Sequence, residues 1–123
     1  MPFYEPGLEE LVGGGVRRGR LHFSTNLSEV VRGADVVFVA VDTPQGEDGS
    51  ADLTSVATVA RRVGQTLTEP GSKKRACPLV VVNKSTVPVG SGDYVSMLIQ
   101  EGAEEGETRV PACFRVVSNP EFL

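Results

Sequence analysis

Tryptophan is absent from this 123-residue chain, histidine occurs once, and cysteine twice. The pair Cys77 and Cys113 builds no disulfide framework, and with His22 alone there is no Cys/His spacing that suits a metal. A Ser-His-Asp arrangement would rest entirely on His22, which reads as a structural or surface residue at the start of an early strand. No stretch approaches the roughly 20 apolar residues that a membrane helix needs. The opening Met-Pro-Phe-Tyr-Glu-Pro-Gly has no basic segment followed by an apolar one, so no secretory signal is read there. Positive charge is in deficit, with 12 Lys and Arg against 16 Asp and Glu and a net charge of −4. That balance excludes a non-specific nucleic-acid binder, which needs a basic face for phosphates. The basic cluster Lys73-Lys74-Arg75 follows Pro70, Gly71 and Ser72 and reads as a solvated loop. These absences predict a cytoplasmic protein with neither nucleic acid nor membrane as partner.

What is present suits a packed domain. Hydrophobic residues make up 40% of the chain and charged ones 23%, ordinary for a soluble fold of this size. The pattern alternates between strand and helix. Leu21 to Ser24 reads as a short strand. Leu27 to Val31 reads as a short helix capped by Asn26 or Thr25 and stopped by Gly33. The run from Asp35 to Val41 is rich in valine, the mark of a strand covered on both faces. Leu53, Val56, Ala57, Ala60, Val63 and Leu67 recur at helical spacing, with Asp52 as N-cap. Pro78 to Val82 reads as a further strand, Ser91 to Gln100 as a helix, Gly102 to Thr108 as an acidic turn, and Phe114 to Val117 as a last strand. Gly13-Gly14-Gly15 follows a helical segment rather than a strand. It therefore reads as a flexible helix end and not as a phosphate loop.

Strands separated by helices imply right-handed crossovers and a parallel sheet with helices on both faces. The fold class expected is α/β, half of a doubly wound domain. In such sheets ligands bind at the carboxyl ends of the strands. Val41-Asp42-Thr43-Pro44, Asn83-Lys84-Ser85-Thr86-Val87-Pro88 and Ser118-Asn119-Pro120-Glu121 occupy those ends. For one such segment alone, a proline that stops a strand and a hydroxyl that caps a helix is sufficient explanation. Three on one sheet edge point further. Their hydroxyls and amides suit orienting a ribose or sugar and a bound water, with Glu121 as a carboxylate and Lys84 the one amine.

The same residues carry a resemblance. Tyr4-Glu-Pro-Gly-Leu-Glu-Glu-Leu11, Asp35-Val-Val-Phe-Val-Ala-Val-Asp-Thr-Pro44, Glu47-Asp-Gly-Ser-Ala-Asp-Leu53, Asn83-Lys-Ser-Thr-Val-Pro-Val-Gly90 and Ser118-Asn-Pro-Glu-Phe-Leu123 follow one another in an order that resembles the UDP-glucose dehydrogenase family. The resemblance covers nearly the whole chain. It implies NAD as cofactor and UDP-glucose as substrate. The reaction implied is a two-step oxidation of the sugar C6 alcohol to an aldehyde and then, through a thiol adduct, to the carboxylate of UDP-glucuronate. It implies that Val41, Thr43, Pro44, Ser85 and Thr86 line the NAD site, that Thr86 helps hold the catalytic water, and that Glu121 is a candidate general base. A homo-oligomeric parent enzyme is implied as well. GDP-mannose and UDP-N-acetylmannosamine dehydrogenases are the neighbouring alternatives.

The departures from the family pattern shape the expectation. Family members begin with a strand and a G-x-G-x-x-G turn whose amides hold the pyrophosphate, and the chain shows neither. The family's catalytic cysteine motif is also missing, and Cys77 and Cys113 each stand just before a strand, outside any such motif. The chain is therefore expected to be an incomplete NAD-binding domain over residues 1–123. It is a partial Rossmann-like doubly wound parallel sheet lacking the first βαβ unit, the central helix and the sugar-nucleotide domain, and it is inactive by itself. The competing reading is a non-enzymatic remnant that binds a partner protein through an open sheet edge.

Overall fold

The computed structural model describes residues 3–72, 75–106 and 112–120. Seven elements follow in chain order: α1 (Leu8–Arg17), α2 (Leu27–Gly33), β1 (Val36–Val39), α3 (Thr54–Leu67), β2 (Leu79–Asn83), α4 (Ser91–Glu104) and β3 (Phe114–Ser118). The three strands form one parallel sheet in the order β1-β2-β3. Val36 to Val39 stand against Val80 to Asn83, and Leu79 to Asn83 against Phe114 to Ser118.

Each crossover carries one helix, α3 between β1 and β2 and α4 between β2 and β3. Both crossovers step in the same direction across the sheet. Right-handedness then places both helices on the same face, and α3 and α4 pack against each other there. The pleat sends Val39, Leu79 and Val81 into that layer, where they meet Val56, Ala60 and Val63 of α3 and Val95, Leu98 and Ile99 of α4. Burying each valine, leucine or isoleucine among them contributes about 1.5–3 kcal/mol. Two glycines set the helix separation. A β-carbon on Gly64 would overlap the Ile99 carbonyl oxygen, and one on Gly102 would overlap that of Arg61.

Helix α2 is capped as expected, since the Asn26 carboxamide oxygen accepts the Glu29 backbone N–H at 3.3 Å. It is held to α3 by a polar cluster. The Ser28 hydroxyl lies 3.1 Å from that of Thr66, Arg62 donates to Ser28 at 2.8 Å, and Glu69 pairs with both Arg32 and Arg62. Arg75, expected in a solvated loop, instead closes the other end of α2. Its guanidinium donates to the carbonyls of Val31 at 2.9 Å and Ala34 at 2.8 Å, which are orphan acceptors at a helix C-terminus. Lys73 and Lys74 lie outside the described residues.

Several expectations are corrected. Leu21 to Ser24 forms no strand. A strand exists only through a neighbour's ladder, and this segment has none, so the sheet has three strands among the described residues rather than four. The second sheet face is not covered by α3 or α4. It leaves Val36 47%, Phe38 61% and Val117 45% exposed. Gly13-Gly14-Gly15 lies inside α1 and not at its end. The Gly15 carbonyl accepts the N–H groups of Arg20 and Leu21 as the chain folds back, and a side chain at Gly15 would crowd Leu21. Helix α4 runs on through Gly102 to Glu104, because Gly102 and Ala103 are buried there. Asp52 stands one residue before the N-cap of α3, which is Leu53.

Candidate functional site at the carboxyl ends of the strands

In register, Val39, Asn83 and Ser118 end the three strands side by side. The chain beyond each is tied to its neighbour. The Val39 carbonyl accepts the backbone N–H groups of Lys84 at 2.8 Å and Ser85 at 3.1 Å, and the Asn83 carbonyl accepts that of Asn119 at 3.0 Å. The Ser85 hydroxyl donates to the Val41 carbonyl at 2.7 Å. The Thr43 hydroxyl donates to the Thr86 carbonyl at 3.0 Å. The tails after β1 and β2 thus form one cross-linked rim.

The sequence-predicted residues take distinct places on it. Val41 and Thr43 are half-buried, Pro44 and Thr86 are exposed, and Ser85 is buried with its hydroxyl committed to Val41. The geometry therefore brings Val41, Thr43, Pro44, Ser85 and Thr86 together. Thr86 stands exposed with its carbonyl bonded to Thr43, and Ser85 braces the rim from beneath. Glu121 lies outside the described residues, whereas Asn119 and Pro120 carry the third tail up to it.

Asn83 is the unexpected member. Its side chain is completely buried at the end of β2, yet neither its carboxamide oxygen nor its nitrogen has a hydrogen-bond partner. An unpaired buried amide is costly, and here it sits directly below the tail that bears Ser85 and Thr86. Sequence alone marks it as one more polar residue after a valine run. Nothing in that pattern says that it points inward with nothing to bond.

The connection from Pro44 to α3 is also built. Gln45 and Ala51 form an antiparallel bridge, and the Asp52 N–H reaches the Pro44 carbonyl at 2.7 Å. The hydroxyl and then the backbone N–H of Ser50 hold the Asp48 carboxyl below the usual carboxylate range, and those of Thr54 do the same for Asp52. Helices α3 and α4 both begin on this side of the sheet, so the positive ends of their peptide dipoles face the rim. Gly90, at φ 89°, makes the left-handed turn from which α4 starts, and the Ser91 hydroxyl donates to the Pro88 carbonyl at 2.6 Å. His22 stays away from all of this, exposed, with Nε2 3.0 Å from the Gly19 carbonyl. Among the described residues, no three His, Cys, Asp or Glu side chains group to hold a metal ion, and no helix is long and apolar enough to cross a membrane.

The arrangement is a hydrogen-bonding rim at the carboxyl ends of the strands, the edge on which open α/β sheets bind ligands. Comparison with known proteins agrees. Residues 1–123 match the UDP-glucose/GDP-mannose dehydrogenase family, NAD binding domain. A UDP-glucose 6-dehydrogenase of Pseudomonas aeruginosa is 46% identical over 123 residues, which are all of this chain and 25% of that protein. A UDP-glucose dehydrogenase structure from the hyperthermophilic archaeon Pyrobaculum islandicum superposes with a TM-score of 0.80 at 42% identity, covering 98% of this chain and 26% of the other. A ternary complex of GDP-mannose dehydrogenase from Pseudomonas aeruginosa superposes with a TM-score of 0.81 at 35% identity, covering 99% and 26%. The chain thus spans about a quarter of the length of these relatives. With its entire length matched and its three parallel strands arranged as in those Rossmann-like structures, the chain belongs to the UDP-glucose/GDP-mannose dehydrogenase family, within the NAD-binding domain.

Proposed function

We propose that this chain supplies the cofactor-facing rim of an NAD-dependent nucleotide-sugar dehydrogenase that oxidises UDP-glucose to UDP-glucuronate. The observation that carries the reading is the bond from the Thr43 hydroxyl to the Thr86 carbonyl, which fixes two strand tails as one surface at the expected nucleotide edge. Hydroxyl and amide donors without a cluster of charge fit the ribose and carboxamide parts of a dinucleotide. Val41, Thr43, Pro44, Ser85 and Thr86 would hold NAD, which when bound supplies the acceptor for hydride.

In this reading Ser85 positions the tail after β1 from below and Thr86 presents a hydroxyl to a water. Glu121 takes a proton from that water, provided its carboxylate comes within hydrogen-bond reach. The 123 residues are one part of an NAD-binding domain and do not turn over substrate alone. UDP-glucose is favoured over GDP-mannose by identity, 46% and 42% against 35%. The superpositions do not separate them, at 0.80 and 0.81.

The test is a graft of residues 1–123 into the Pseudomonas aeruginosa relative in place of its matched quarter. The graft is expected to reduce NAD with UDP-glucose and to leave GDP-mannose untouched, read as NADH absorbance. Within it, Thr86→Val is expected to lower kcat by about 10²-fold, the scale of a lost contact to a reacting water. An unchanged kcat would remove Thr86 from the reaction, and turnover of GDP-mannose in place of UDP-glucose would reverse the substrate.

A further inference from the structure

One apolar side chain on the rim is presented without cover. Val89 is fully exposed in the turn that joins β2 to α4. A lone exposed valine on an ordinary surface calls for no explanation. Val89 differs because the turn beneath it is built. Val87, two residues earlier, packs against the core. The ring of Pro88 fixes its own φ, and its carbonyl accepts both the N–H of Ser91 at 3.2 Å and the Ser91 hydroxyl at 2.6 Å. Gly90 stands at φ 89°, and a β-carbon there would meet nothing within 4 Å, so the glycine serves the left-handed turn and not a close approach. The sequence Val-Pro-Val-Gly thus pins one valine inside and holds the next one out, at the ligand-binding edge of the sheet. Thr86 and Pro88, also exposed, stand beside it in the chain.

On the cofactor reading of the rim, on which this step rests, we infer that Val89 packs against one face of the nicotinamide ring of bound NAD. A branched hydrocarbon makes no hydrogen bond. It therefore suits the flat face of a heteroaromatic ring better than a sugar, whose hydroxyls would lose water without gaining a partner. The dinucleotide carries two such rings. Thr86, three residues earlier, is the residue proposed to face the reacting water, which puts the reacting ring, and not the adenine, against the same turn. A turn already fixed by Val87, Pro88 and Ser91 loses little freedom when the ring arrives. The valine methyls exclude water from the ring face that they cover. Val89 is then a cofactor-binding residue, the apolar counterpart of the polar groups on the rim.

The experiment uses the graft of residues 1–123 in the Pseudomonas aeruginosa relative, with Val89→Ser and, as control, Val30→Ser at the exposed valine of α2. NADH is titrated by its own emission, which rises and shifts to the blue when the reduced ring leaves water for an apolar contact. ADP-ribose, which lacks the nicotinamide, is titrated as a competitor. Val89→Ser is expected to weaken NADH roughly tenfold, the scale of losing most of one valine's burial, and to diminish the blue shift. The affinity for ADP-ribose and the melting midpoint of the ligand-free graft are expected to stay as they were. Val30→Ser is expected to change neither affinity. Equal weakening of NADH and ADP-ribose, an unchanged affinity for NADH, or a lower midpoint of the ligand-free graft would each overturn the inference, the last because another segment of the enzyme then covers Val89. A graft that neither binds NADH nor reduces NAD overturns the cofactor reading itself, whereas a graft that binds NADH and is indifferent to Val89→Ser overturns the role of Val89 alone.

Discussion

At the scale of single residues, Asn83 has the clearest consequence. Its buried carboxamide lacks partners while Val39, beside it in register, fills the same layer with a hydrocarbon. Asn83→Val should therefore stabilise the fold by about 1–3 kcal/mol, the cost of an unsatisfied buried polar group, seen as a higher melting midpoint. A lower midpoint would show that the amide is satisfied by an internal water. Arg75 works in the opposite sense. Arg75→Ala removes both donors from the end of α2 and should cost about 1–3 kcal/mol in a denaturant titration. Asp48 and Asp52 have carboxyl groups below their ordinary value of 3.8 in the fold. A depressed folded value means that the contribution is present above the unfolded pKa and fades as pH drops through the lower, folded one. Acid titration followed by NMR should thus find both groups protonating below pH 3.8, and loosening of the segment from Gln45 to Thr54 only there. Residue roles of this kind were poorly legible in the sequence. The Asn26 cap was readable from local chemistry, whereas Arg75 and Asn83 owe their roles to elements more than forty residues away or to the pleat direction.

At the scale of elements, the α3–α4 contact is set by backbone approach. Gly64→Ala and Gly102→Ala each drive a methyl into a carbonyl of the facing helix. Each should destabilise by about 1–3 kcal/mol or more, the range for overpacking, measured as a fall in the urea midpoint with unchanged slope. Gly33→Ala is the internal control, since a β-carbon there meets nothing within 4 Å. Periodicity made the inward faces of α3 and α4 legible, because Val56, Ala60, Val63, Val95, Leu98 and Ile99 all reach the core. It failed where glycine was taken as punctuation. Gly13-Gly14-Gly15 and Gly102 stand inside helices because another segment of chain lies close against Gly15 and Gly102. That is a tertiary cause which no local pattern contains. It failed in the other direction at Leu21 to Ser24, where an apolar alternation found no ladder to join.

At the scale of the whole molecule, the parallel sheet and the placing of the strand-end tails on one edge were legible from alternating elements and the proline-stopped strand ends. The missing cover on the second sheet face was not, because the direction of successive crossovers is a property of topology and not of composition. Thr43→Val, which cuts the tie between two tails, should in the grafted enzyme raise the KM for NAD more than it lowers kcat, because it loosens a surface rather than removing a reacting group. Equal loss in both would place Thr43 at the chemistry itself. The strand order has one more outcome. Among the described residues, each ladder joins strands that are neighbours along the chain. As the chain leaves a ribosome, β1, α3 and β2 can close into a unit as soon as Asn83 is clear, and β3 with α4 then adds to an existing edge. Along this stretch, synthesis and assembly of the three strands can therefore proceed in step.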